Sequence, residues 1–128
     1  MAVCLRPSLV GLCGVGALAM TWLPATAAEV MTKQNFALSL DQAALTVCEL
    51  RKQKMDYKLA LNTGATPVFQ LVKFRYGKRI EGVNGIPADQ GLLRYLGLKI
   101  SEMSLKYCPK QLPSSVAKEV SSIKDRLK

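Results

Sequence analysis

The sequence contains no histidine, a single tryptophan and only nine acidic residues in a chain of 128. Histidine is the commonest general base and a frequent metal ligand, so its absence removes the usual basis of both kinds of site. A structural zinc ion normally has four cysteine or histidine ligands, whereas Cys4, Cys13, Cys48 and Cys108 stand far apart in the chain. We therefore predict no metal site.

Sequence patterns typical of catalysis are also missing. The carboxylates are scattered along the chain, and no two of them stand out as a pair for glycoside hydrolysis. Gly77, Gly82 and Gly85 match neither a phosphate-binding loop nor a dinucleotide-binding fingerprint. We therefore predict a protein that is not an enzyme and that carries no cofactor.

Long apolar runs are absent except at the N-terminus, where residues 9–23 form one. Arg6 is the only charge in residues 1–28, and small residues end this segment at Ala27 and Ala28. This layout is typical of a cleaved secretory signal peptide. An uncleaved membrane anchor is the alternative, although the run is shorter than the roughly 20 residues that span a bilayer. We expect an exported protein, periplasmic or secreted.

The mature chain predicted by this cleavage, residues 29–128, is the size of one small domain. Removal of Arg6 leaves seventeen basic residues against nine acidic ones, a net charge of +8. Such an excess of positive charge indicates either that the protein binds an anionic surface or that the charge only keeps the protein soluble. Expected partners are another envelope or extracellular protein, or an anionic surface, and nucleic acid is disfavoured by export.

The spacing of apolar residues predicts an all-α domain, a small bundle of four to five short helices. A capping-box pattern begins at Ser39, after a loose lead over residues 30–38. Asp56 is placed to cap the next helix. Gly91 and Gly97 lie in a later helix, where they are expected to let another helix pack close. The expected helices are residues 40–53, 57–62 with Gly64 as a stop, 67–77, 86–108 ended by Pro109, and a C-terminal amphipathic helix after Pro113. The spacing of residues 86–108 also predicts an ion pair between Glu102 and Lys106 and an apolar stripe made of Leu92, Leu93, Leu96, Ile100, Met103 and Tyr107.

The third of these segments is ambiguous. Thr66 and Pro67 resemble the start of a helix. Residues 72–76, however, alternate apolar and basic side chains, and Gly77 and Lys78 fit a two-residue hairpin loop. We favour the helix over residues 67–77 because a lone hairpin is weakly stable, and the hairpin stays open as the alternative.

Two cysteines remain in the mature chain, Cys48 and Cys108, and each lies beside the apolar stripe of its predicted helix. An even number of cysteines in an exported protein indicates a disulfide. A reactive thiol is the alternative, but the chain has neither a C-x-x-C motif nor a histidine partner. We predict a structural Cys48–Cys108 bridge that holds two helices together.

The segment KFRYGKR is the part of the sequence most typical of a binding surface. Its anion-binding candidates, which are interleaved with Phe74 and Tyr76, are Lys73, Arg75, Lys78 and Arg79. Charge with aromatic stacking suits phosphates or a membrane interface. The structural alternative is that both rings pack inward while the cations are solvated.

Two functions follow from these observations. The first is an exported, non-catalytic interaction module that binds another protein through an apolar groove or the C-terminal helix. The second is a cationic binder of anionic envelope or membrane surfaces. Salt separates them, because only the second should lose affinity steeply as ionic strength rises.

Overall fold

The computed structural model describes residues 29–85 and 88–126, and these residues form four α-helices and no strand. The helices are α1, Lys33–Lys52; α2, Tyr57–Gln70; α3, Asp89–Tyr107; and α4, Ser114–Arg126. A π-helical turn, Leu71–Arg75, extends α2, and a 3-10 turn, Pro109–Gln111, precedes α4. The predicted all-α bundle is confirmed for this part of the chain, and the predicted signal peptide, residues 1–28, lies outside it. No helix in the described ranges is long and apolar enough to cross a membrane.

Helix α1 begins at Lys33 rather than at Leu40, so the predicted N-terminus was wrong. Two side chains accept hydrogen bonds from the first N–H groups of α1. Thr32 Oγ1 accepts from a backbone N–H of the first turn at 3.2 Å, and Glu81 Oε2 accepts from Lys33 N at 3.0 Å. Ser39 is not the cap, because its hydroxyl donates to a backbone carbonyl one turn earlier, at 2.9 Å. A cap supplied from a distant loop explains why the local pattern misplaced this end.

The predicted loose lead over residues 30–38 is also corrected. Met31 is fully buried and forms a parallel bridge with Ile80. Its N–H donates to the carbonyl of Arg79 and its carbonyl accepts from Glu81 N, both at 2.9 Å. The hairpin interpretation was therefore wrong, since the segment after the π-helical turn pairs with the N-terminal lead rather than folding back on itself.

Helix α2 is one continuous helix, whereas the sequence suggested a break at Gly64 and a new start at Pro67. Asp56 caps it as predicted, and its Oδ1 accepts from two first-turn N–H groups at 2.9 and 3.2 Å. Gly64 serves close packing instead of termination, because a Cβ there would lie 2.9 Å from the carbonyl oxygen of Ala43 on α1. The favoured helical interpretation is confirmed from Pro67 to Arg75.

Helix α3 begins at Asp89, and the predicted first turn at residues 86–87 lies outside the described ranges. The buried members of its predicted apolar stripe are Leu92, Leu96 and Ile100. Leu93 and Tyr107 were wrongly placed in the core, since both are more than 40% exposed. Tyr107 instead donates from its hydroxyl to Asp41 Oδ1 on α1, at 2.6 Å.

Helices α1, α2 and α3 pack against one another around a single apolar cluster. The cluster includes Cys48 and Cys108, whose Cα atoms are 5.9 Å apart and whose sulfur atoms lie at bonding distance. The predicted pairing is confirmed. Helix α3 ends before Cys108, as Pro109 requires. The disulfide therefore joins the second half of α1 to the C-terminal end of α3.

Helix α4 packs on α3 through Val116 and Val120, which are buried but lie apart from the main apolar cluster. Glu102 strengthens this contact, because its carboxylate pairs with Lys124 at 2.8 Å and with Lys99 at 3.4 Å. The pair that helical spacing predicted, Glu102 with Lys106, is not the one that forms. Among the described α-helices, only α3 has a backbone that closely approaches the backbone of α4.

Candidate functional site

The basic segment lies on the π-helical turn and the loop that follows it. Its two aromatic residues separate: Tyr76 is 6% exposed and joins the core, whereas Phe74 is 75% exposed. The expected pair of aromatic rings on one surface is therefore not present. A single exposed ring stands beside the cations.

Two of the four anion-binding candidates are held by one carboxylate. Lys73 Nζ lies 2.6 Å from Asp89 Oδ2, and Lys78 Nζ pairs with Asp89 Oδ1. Hydrogen bonds from Lys73 and Lys78 to the Asp89 carboxylate lower its pKa below the ordinary value. These two lysines connect the loop to the first turn of α3, which is a structural role.

The other contacts of the segment are mostly internal. Lys73 Nζ lies 5.5 Å from the centroid of the Phe69 ring and 5.4 Å from that of Phe74. The Arg75 guanidinium lies 5.5 Å from the Tyr76 ring centroid, and the backbone of Arg79 bonds to Met31 as described above. Anion binding by the four cations stays a prediction, and at least two of them are engaged inside the fold.

A groove that the sequence did not reveal runs between α2 and α4, with α3 as its floor. It arises because the backbone of α4 packs close to that of α3 but not to that of α2. Its volume is about 690 Å³, within the roughly 300–1,000 Å³ typical of ligand sites. Most of its lining is apolar, contributed by Leu61, Ala65, Leu93, Leu98, Val116 and Ile123.

The floor of the groove contains one buried polar contact. The Tyr57 hydroxyl lies 2.6 Å from Ser101 Oγ, and Ser101 in turn donates to the carbonyl of Gly97 at 2.7 Å. Burial raises the pKa of the Tyr57 phenol, the Ser101 hydrogen bond opposes the rise, and the negative charge of Glu119 adds to it. Because the hydroxyls satisfy each other, the floor offers an apolar ligand few unpaired polar atoms.

Gly97 leaves space on the same floor. A Cβ at this position would meet only Leu61 Cδ2, at the ordinary contact distance of 3.9 Å. The sequence predicted that this glycine lets another helix pack close. Gly97 does face α2, but the approach is not close enough to require a glycine. A larger side chain would extend into the groove, so this position controls its depth.

Two charged residues line the groove, Arg94 on α3 and Glu119 on α4. Neither side chain forms an ion pair within the described residues. The groove therefore combines an apolar surface with one cation and one anion that are available to a partner. In the same ranges no three histidine, cysteine, aspartate or glutamate side chains cluster in a way that could hold a metal ion.

Comparisons of the chain with protein-family models, with curated proteins and with solved structures gave no significant match.

Proposed function

We propose that the protein is an exported, non-catalytic interaction module that binds an apolar segment of another protein in the groove between α2 and α4. The observation that carries the proposal is the separation of α4 from α2, which leaves an apolar groove of about 690 Å³ over α3. Export is supported by the apolar run at residues 9–23 and the paired cysteines.

A protein segment fits this groove for a geometric reason. Helices pack at interaxial distances of roughly 8–10 Å, and an amphipathic helix in a groove is a recurring mode of recognition. A segment lying over α3 would contact α2 and α4 together. Burial of an apolar side chain gives about 1.5–3 kcal/mol, so three or four such side chains support a micromolar complex after the association cost.

The test is a selection from a displayed library of helical peptides with a fixed leucine ridge. Wild-type protein, Gly97→Ala and Gly97→Phe are used in parallel. The alanine adds only a Cβ in ordinary contact, whereas the phenylalanine fills the groove. We expect clones that bind wild type and Gly97→Ala but lose at least about tenfold in affinity for Gly97→Phe, roughly the 1.4 kcal/mol that one blocked apolar contact represents.

Thermal unfolding of each variant verifies that it is folded. If Gly97→Phe does not fold, Leu93→Glu replaces it, because Leu93 is 42% exposed and lines the groove. A charge there disrupts an apolar ligand without a core change. Clones that bind wild type and both groove variants equally would overturn the proposal.

Binding to an anionic membrane surface is the second candidate, and Phe74 favours it. Its ring is 75% exposed and adjoins Lys73 and Arg75, a combination suited to a membrane interface. Cosedimentation with phosphatidylglycerol vesicles tests it against a Phe74→Ser, Arg75→Gln variant. Wild-type binding that falls with salt and is lost in the variant supports this candidate. Absence of wild-type binding at low salt contradicts it.

A further inference from the structure

We infer that the groove accepts its partner as an α-helix in one direction, with the N-terminus of that helix toward Glu119 and its C-terminus toward Arg94. The inference rests on the proposed function and adds the chemistry of the partner. Its basis is the placement along the groove of two charges, Arg94 and Glu119, that form no ion pair with another described residue.

The order of residues along the floor defines the two ends of the groove. Tyr57 meets Ser101 at 2.6 Å, and Leu61, one turn later on α2, meets Gly97, one turn earlier on α3. The two helices are therefore antiparallel at the groove. Arg94 precedes Ser101 by seven residues, which places it about 10 Å along the floor from the Tyr57 end.

Glu119 belongs to the Tyr57 end. The ion pair between Lys124 and Glu102, at 2.8 Å, places the last turn of α4 beside the residue that follows Ser101 on α3. Helix α4 follows α3 after a short turn and runs back along it, so Glu119, which precedes Lys124 in α4, lies toward the C-terminal end of α3, where Tyr57 meets Ser101. The charge of Glu119 also acts on the Tyr57 phenol across the groove. The groove thus has an anionic end near Tyr57 and a cationic end near Arg94.

A helix carries about half a positive charge at its N-terminus and half a negative charge at its C-terminus. The favourable direction therefore places the N-terminus beside Glu119 and the C-terminus beside Arg94, parallel to α2. Side-chain charges strengthen this preference for one direction if the partner helix has a lysine or arginine in its first turn and an aspartate or glutamate in its last turn. This distribution of charges is the reverse of the one that stabilises an isolated helix. Enrichment of these charges in selected peptides therefore cannot result from helix stability alone.

The probe is the same leucine-ridge library, with lysine, glutamine or glutamate allowed at first-turn and last-turn positions. It is selected on wild type and on an Arg94→Glu, Glu119→Arg charge-exchanged variant. On wild type we expect lysine in the first turn and glutamate in the last to be enriched about two- to fivefold over glutamine, the range for an exposed ion pair. The exchanged variant should invert both preferences.

Lys118→Glu is the matched control, because Lys118 is an exposed α4 residue outside the groove lining. It should leave the wild-type preference in place. Peptides that bind wild type and fail on Gly97→Phe, but show no charge preference or the same preference on the exchanged variant, overturn the directional inference and leave the proposed function standing. If no peptide distinguishes wild type from Gly97→Phe, both are overturned.

Discussion

Gly64 and Gly97 provide a matched test of the packing described above. Each lies inside a helix, and alanine at either position gains about 1 kcal/mol of helix propensity. Their surroundings differ: a Cβ at Gly64 would lie 2.9 Å from the backbone oxygen of Ala43 and 3.1 Å from Val47 Cγ2. At Gly97 the nearest atom is 3.9 Å away and belongs to a side chain.

The Gly64 contact requires α1 and α2 to move apart, because a backbone carbonyl cannot rotate away as a side chain does. Overpacking of this kind costs about 1–3 kcal/mol, and the gain in helix propensity offsets about 1 kcal/mol of that cost. Gly64→Ala should therefore lose between about 0 and 2 kcal/mol of stability. Gly97→Ala should be about 1 kcal/mol more stable. Both variants gain the same helix propensity, so this gain cancels when their free energies of unfolding are compared. These free energies should differ by about 1–3 kcal/mol.

The assay is urea and thermal unfolding of both single variants and of wild type under oxidising conditions. A difference of this size corresponds to roughly 5–20 °C in Tm for a domain of about 100 residues. If Gly64→Ala is as stable as Gly97→Ala, the close approach of α1 to α2 at Gly64 is wrong. A drop in both variants would instead refute the open floor of the groove.

Three further predictions concern the fold. Replacing both Cys48 and Cys108 by serine opens a link across 60 residues and should cost about 4 kcal/mol in urea unfolding; an unchanged midpoint would contradict a structural bridge. The Asp89 pKa is lowered by Lys73 and Lys78, so this carboxylate stabilises the fold above its unfolded pKa and the contribution disappears as pH falls through the folded pKa. Asp89→Asn should therefore flatten the loss of stability that occurs as the pH falls below the ordinary pKa of an aspartate, and an unaltered pH profile would refute the pairing. Lys54 has a φ of 62° after α1, so Lys54→Gly should raise stability by about 1 kcal/mol in thermal unfolding, and a loss would contradict the left-handed conformation.

The sequence was informative wherever a feature depended on neighbouring residues. Helical spacing located the body of each of the four described helices, although it divided α2 in two. Asp56 was recognised as a cap, and Pro109 marked the end of α3. The cysteine pair followed from two predicted helices and an export signal. The helices, the cap and the helix end depend on residues within a few turns of one another, where local stereochemistry decides the outcome. The cysteine pair, which spans 60 residues, could be predicted only because no other cysteine is left in the predicted mature chain.

The errors come from contacts between distant segments. The start of α1 depends on Glu81, far along the chain, and the lead is buried because Met31 pairs with Ile80. Gly64 resembles a helix stop until α1 is placed against it. The groove could not be predicted because it requires α4 to pack on α3 without α2, which no sequence period encodes.

The stability of the domain and its proposed binding surface are connected at the base of α4. Cys108 is tied to α1 by the disulfide, and Arg51 Nε donates to the carbonyl of Gln111 in the 3-10 turn, at 2.9 Å. Beyond this fixed base, α4 is held by two buried valines and the ion pair between Lys124 and Glu102. One wall of the groove is therefore anchored at its start and lightly held along its length. A partner helix that contacts both walls would supply packing that α4 lacks, and binding should stabilise α4 more than the rest of the fold.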